Sequence, residues 1–106
     1  YSINLHTSKG LQKIPAAKIL RIEASSNYSR IFFCDQKNTL LTTKILHWFE
    51  CNLSDQGFIR THKSHLVNPL YIKTLCLQTS RLTLQSGEHI AVSRRKIKAV
   101  NQLLNK

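Results

Sequence analysis

The sequence predicts a mainly β domain built from small packed sheets, with one helix in the middle of the chain and another at its C-terminus. Three observations predict it. Short apolar runs alternate with polar residues at period two, clusters of small polar residues or glycine punctuate them, and only two stretches repeat their apolar residues at helical spacing.

The elements follow in order. Ile3 and Leu5, then Leu11 and Ile14, alternate around a polar turn at residues 7–10, which predicts a hairpin whose second arm ends at Pro15. Ile19, Arg21 and Glu23 alternate with Leu20, Ile22 and Ala24; a loop of small polar side chains at 25–29 then leads into a partner strand at 30–34. Residues 35–38 make the next turn, ahead of a short strand at 39–42. In 44–53, Ile45, Trp48, Phe49 and Leu53 share one helical face fit to pack on a sheet, and the helix stops at 54–57. Segments 58–61, 66–67, 72–79, 81–85 and 88–92 read as short strands, the last two joined at Ser86-Gly87. The final helix takes Ser93 as its N-cap, buries Ile97, Val100 and Leu104, and turns Arg94, Lys98, Asn101 and Asn105 to another side. No repeat, linker or low-complexity tract divides the chain, so residues 1–106 form one domain.

Composition bounds the partners. With 106 residues, 42% hydrophobic and 20% charged, the chain has the make-up of a folded domain and not of a disordered tail. Sixteen Lys and Arg against five Asp and Glu give +11, so an acidic partner is expected, nucleic acid ahead of an anionic membrane. No apolar run approaches the roughly 18 to 20 residues of a membrane span, and no signal peptide opens the chain. A start at Tyr1 with no methionine anywhere predicts a piece of a longer protein. Cys34, Cys51 and Cys76 are odd in number and widely spaced, which predicts a reducing cytoplasm and small buried thiols in place of a disulfide or zinc framework.

The charge is lopsided. Residues 60–106 hold nine basic residues and one acid, net +8, whereas the first 59 hold seven bases and four acids, net +3. Two clusters stand out: Arg60-Thr61-His62-Lys63-Ser64-His65 between apolar strands, and Ser93-Arg94-Arg95-Lys96 where a strand gives way to a helix. Long cations beside short hydroxyl donors suit phosphates and base edges, and a helix N-terminus at Ser93 would add free N–H groups. Catalysis finds little to work with: five carboxylates, three glycines with no phosphate loop, and no nucleophile elbow, so no enzyme is expected. His62 and His65 lack a third ligand nearby in sequence, so no metal site or cofactor is expected. Trp48 and Phe49 read as core residues, not as a base-stacking platform.

These residues carry a resemblance. Phe58-Ile59-Arg60-Thr61-His62-Lys63-Ser64-His65-Leu66-Val67-Asn68 resembles the F-x-R-x-H-[KR]-S-x-[LIV]-V-N signature of the LytTR DNA-binding domain. Ile90-Ala91-Val92-Ser93-Arg94-Arg95 is similar to its [LI]-x-V-S-R-R signature, and Ile19 to Ala24 with Asn27-Tyr28 to its I-x-x-I-E-A-x-x-N-Y segment. The resemblance covers essentially the whole chain. It implies an elongated, mainly β fold in the cytoplasmic output domain of a bacterial transcription regulator of the two-component, response-regulator kind. It further implies loops, in place of a recognition helix, that enter successive major grooves of a bent duplex. Two copies on direct promoter repeats and an upstream regulatory module are implied partners, with no small-molecule substrate.

Carried onto this sequence, the resemblance points to the loop at Asn27, Ser29 and Arg30, to Lys63, and to Arg94. Lys63 and Arg94 have the reach to read guanine edges, Arg94 in bidentate fashion, while Asn27 or Ser29 would meet a base or its phosphate. His62, Ser64, Arg95, Lys96 and Lys98 are expected on the phosphate backbone. Phe58, Leu66 and Val67 are expected in the core, and Asn68 in a turn before Pro69. The rival readings are an RNA or nonspecific nucleic-acid-binding module on the same basic face, and a module drawn to acidic proteins or membranes.

Overall fold

A computed structural model describes residues 1–105. Among these residues ten strands fall into three antiparallel sheets. β1 (Ser2–Thr7) and β2 (Gly10–Pro15) form a hairpin whose turn uses Gly10 at φ 97°, a backbone state that costs glycine little. β3 (Ile19–Ser25), β4 (Tyr28–Phe33), β5 (Leu40–Thr42), β6 (Ile59–His62) and β7 (His65–Val67) make the central sheet in the order β5-β4-β3-β7-β6. β8 (Ile72–Cys76), β9 (Arg81–Leu84) and β10 (His89–Ala91) make the third, ordered β10-β9-β8. The two helices, α1 (Leu46–Leu53) and α2 (Ile97–Leu104), close opposite faces.

The central sheet is covered on both sides, so the apolar residues of β3 divide between two cores. On one face Ile19, Ile22, Ile31 and Leu66 pack against Ile3, Leu5 and Ile14 of the hairpin and Leu46, Phe49 and Leu53 of α1. On the other, Leu20, Ile59 and Val67 pack against Leu82, Leu84 and Ile90 of the third sheet and Val100 of α2. Stacking three layers gives an elongated body of 43 × 25 × 24 Å. Phe58, Leu66, Val67 and Phe49 are core residues as expected, and Trp48 packs edge-on against Phe49, ring centroids 5.0 Å apart. Buried Asn68 does more than shape a turn: its amide donates to the Ile19 carbonyl at 2.9 Å while its Oδ1 accepts from the Leu70 N–H at 3.0 Å.

Several expectations are corrected by the geometry. A bulge between Ile19 and Arg21 breaks strict alternation in β3, so Ile19 and Ile22 share a core and Leu20 goes to the other. Leu11 is 64% exposed, because it pairs with His6 on the outer side of the hairpin, while the pairings Ile3–Ile14 and Leu5–Gln12 face inward. Ile45 is 59% exposed, because α1 starts only at Leu46 and Ile45 is still extended. The expected loop at 25–29 contracts to a turn at Ser26 and Asn27, with Ser26 left-handed at φ 57° and Ser25 pairing with Tyr28. All three cysteines are exposed. Cys34 and Cys76 stand at strand ends and Cys51 on the solvent side of α1, where no core reaches them. Tyr71 Oη lies 3.1 Å from Cys34 Sγ, a bond that pushes the phenol up to about 12. Finally, α2 begins at Ile97, so Ser93 does not cap it; Ser93 Oγ instead accepts from the Arg95 N–H, 3.3 Å away, inside a turn preceding the helix.

Candidate nucleic-acid interface

The turn of the β6–β7 hairpin is held from inside by one side chain. A bulge between Arg60 and His62 lets the Arg60 side chain fold under the Lys63-Ser64 tip. Its guanidinium donates to the His62 carbonyl at 3.0 Å, to the Lys63 carbonyl, and to Glu50 Oε1 on α1 at 2.8 Å. A planar fork with five donors can reach three acceptors at once; an ammonium cannot do so in this geometry. His62 Nδ1 accepts the Ser64 N–H at 3.1 Å, so the ring carries its proton on Nε2 and presents a donor outward. With its neighbours engaged inside the turn, Lys63 is the exposed tip.

This hairpin sits between the other two turns. On one side the Ala24 N–H donates to the Ser64 carbonyl at 2.9 Å, which sets the Ser26-Asn27 turn beside the Lys63 tip at the same end of the central sheet. On the other, the Ser93 N–H donates to the Thr61 carbonyl at 2.7 Å and Thr61 Oγ1 to the Ala91 carbonyl at 3.3 Å. The turn at 93–96, closed by the Lys96 N–H on the Ser93 carbonyl at 2.9 Å, is thereby tied to β6. Three turns therefore form one row, with Lys63 in the middle. Between the second and third runs an open groove of about 600 Å³ lined by Arg60, His62, Lys63, Ser93, Arg95 and Lys96.

Electrostatics sharpen the row. Arg21, only 7% exposed, lies 3.6 Å from the Phe32 ring centroid and pairs with both Glu23 (2.9 Å) and Glu88 (2.8 Å), bracing the third sheet against the central one. Glu50 is held by Arg60, and Asp35 lies 3.4 Å from Lys18. Four of the five side-chain carboxylates are thus engaged by Lys or Arg, Glu50 by the same Arg60 that braces the Lys63 turn. Among the described residues none lies within ion-pair distance of Lys63, Arg94, Arg95, Lys96 or Lys98. Burial disfavours the charged form of His65 and holds its imidazole below the usual range, and the Glu23 carboxylate at 3.7 Å opposes this only in part.

The expected site residues divide accordingly. Asn27, Lys63, Arg94, Arg95 and Lys98 are exposed, and His62, Ser64 and Lys96 are half-buried along the same row or just beyond it on α2. Ser29 is corrected. The shortened turn makes it a strand residue, and alternation points it inward with Ile31 and Phe33; it is 0% exposed with an unpartnered hydroxyl, out of reach of any duplex. Arg30 is half-buried and donates to Thr39 Oγ1 at 2.7 Å, on the side of β4 away from the Asn27 turn, so it does not join the tips. Sequence reasoning missed Arg60, Thr61 and Glu50 as the residues that fix the row. The basic cluster displayed Arg60, but nothing in its spacing showed a side chain turned back onto its own hairpin.

The sequence family described as the LytTr DNA-binding domain matches residues 9–105. Among solved structures, the chain is similar to the LytTr DNA-binding domain of a Bacillus cereus protein described as a methyl-accepting/DNA response regulator. The two are 28% identical, with a TM-score of 0.79 over 99% of this chain and 97% of that one. No curated protein matches the chain significantly. Among the described residues no helix is long and apolar enough to cross a membrane.

Proposed function

The chain belongs to the LytTr family of DNA-binding domains that act in transcription regulation, and on that footing we propose that its row of three turns reads double-stranded promoter DNA sequence-specifically, two copies occupying direct repeats. The observation that carries the proposal is the hydrogen-bonded alignment of the Asn27, Lys63 and Arg94 turns on one edge, crowded with cations that have no carboxylate partner. Lys63 and Arg94 donate to guanine edges in the major groove, and Asn27 pairs with a base or phosphate at the outer turn. His62 through Nε2–H, Ser64, Arg95, Lys96 and Lys98 hold phosphates and set the register.

Selecting bound duplexes from a random library tests polymer, specificity and spacing together. The expected product is a motif recurring in the same orientation at a fixed spacing. Enrichment of no motif, or equal competition by structured RNA at matched salt, would replace this reading with nonspecific nucleic-acid binding.

A further inference from the structure

A second basic feature lies at the other end of the central sheet. β4 runs away from the Asn27 turn for six residues, so its far end is roughly 20 Å from the tips at about 3.3 Å per residue. There an open groove of about 530 Å³ separates the β1–β2 hairpin from residues 33–40. Its lining is mostly polar and includes Lys9, Lys13, Lys18 and Asp35, with Phe33 and Leu40 among the apolar side chains. Lys18 is answered by Asp35, whereas Lys9 and Lys13 have no carboxylate within ion-pair distance among the described residues.

The lining also shows which part of the hairpin the groove meets. Residues 12–15 of β2 line it consecutively, while β1 contributes only its last residue, Thr7. A groove lying over a strand's face would meet every second residue, so this one follows the edge of β2. β2 is hydrogen-bonded to β1 alone, which leaves alternate N–H and C=O groups along that edge without a strand partner. Unpaired backbone, a few apolar side chains and two lysines without a carboxylate partner together fit one kind of occupant.

We propose that the free edge of β2 and the lysine-rimmed groove beside it form a docking site for an extended, acidic peptide segment of a protein partner. The segment adds a strand to β2 over residues 10–14, up to Pro15, which has no N–H to give. Alternate side chains face Phe33 and Leu40, and the acidic ones reach Lys9 and Lys13. The site lies at the far end of the sheet from the proposed DNA edge, so the domain can hold a duplex and a protein together.

The test is an amide-shift titration of the isotope-labelled protein with acetyl-Glu-Val-Glu-Val-Asp-Val-amide, with inorganic phosphate and the lysine-for-acid peptide as controls. The expected result is saturable change along residues 9–15 and 33–40 with the acidic peptide alone. The double variant Lys9→Glu, Lys13→Glu, on exposed side chains, weakens it about tenfold or more while duplex affinity stays within about twofold. Shifts confined to the Lys63 and Arg94 turns would overturn the proposal, the peptide then being a mere mimic of the duplex. Equal shifts with phosphate would make the groove a simple anion site. No shifts at millimolar peptide would leave the lysines as guards against edge-to-edge aggregation.

Discussion

Arg60→Ala separates a residue that shapes the interface from one that touches DNA. The substitution removes three bonds, to the His62 carbonyl, the Lys63 carbonyl and Glu50, and leaves the two turn carbonyls without their shared donor. Bonds to a charged group are worth about 1.5 to 3 kcal/mol each where partners are buried. Here the Arg60 and Glu50 side chains are 19% and 37% exposed, so solvent screens the ion pair and water can replace part of what is lost. A stability loss of about 2 kcal/mol follows, read as a shift in the urea midpoint with unchanged slope. The larger effect is on recognition: a Lys63 tip freed from its clamp should cost cognate affinity roughly ten- to a hundredfold, about 1.4 to 2.8 kcal/mol. Random duplex, bound through charge alone, should change far less. Arg60→Lys keeps the charge but not the fork, so it should lose specificity while retaining the salt slope. Equal loss on cognate and random duplex, with the slope reduced by about one and Arg60→Lys fully active, would refute the clamp and make Arg60 a phosphate contact.

Arg94→Ala should cost about 1 to 3 kcal/mol and relax preference at one base pair in competition assays, whereas Lys96→Ala should weaken all sequences alike and flatten the salt dependence. Ser29→Ala, which removes a buried hydroxyl with no partner, should leave duplex affinity unchanged and stability equal or higher by about 1 kcal/mol in urea melts. Stability should also fall with acid through His65, whose imidazole burial holds below 6.5. The folded state then binds fewer protons than the unfolded chain, so the contribution is intact above about 6.5 and is lost as pH drops through the folded value. Urea melts of His65→Phe should lack that part of the decline; an unchanged pH profile would contradict the assignment.

Much of this architecture is visible in the chain because periodicity is local. Alternation located the strands, one-turn spacing the helices, and the two basic clusters the proposed interface. Features set by pairing were invisible. Nothing around Leu20 announces the bulge that reassigns it to the second core. Ser29 looked like a loop residue because Ser25 to Asn27 are all small and polar, yet the turn needs only two residues and the rest zip into the sheet. The cysteines illustrate a preference overridden by position, since strand ends and an outer helical face offer no interior. The Arg60 clamp and the Thr61 to Ser93 bond depend on which hairpins end up adjacent, a property of the folded sheet order.

Amide-shift mapping with the selected cognate duplex reaches the decisive point. Resonances of the turns at 26–27, 63–64 and 93–96 should move together, at one apparent affinity, while those of residues 9–15 stay still. Perturbation of a single turn, or of the β1–β2 hairpin in place of the row, would contradict a continuous edge facing one double helix.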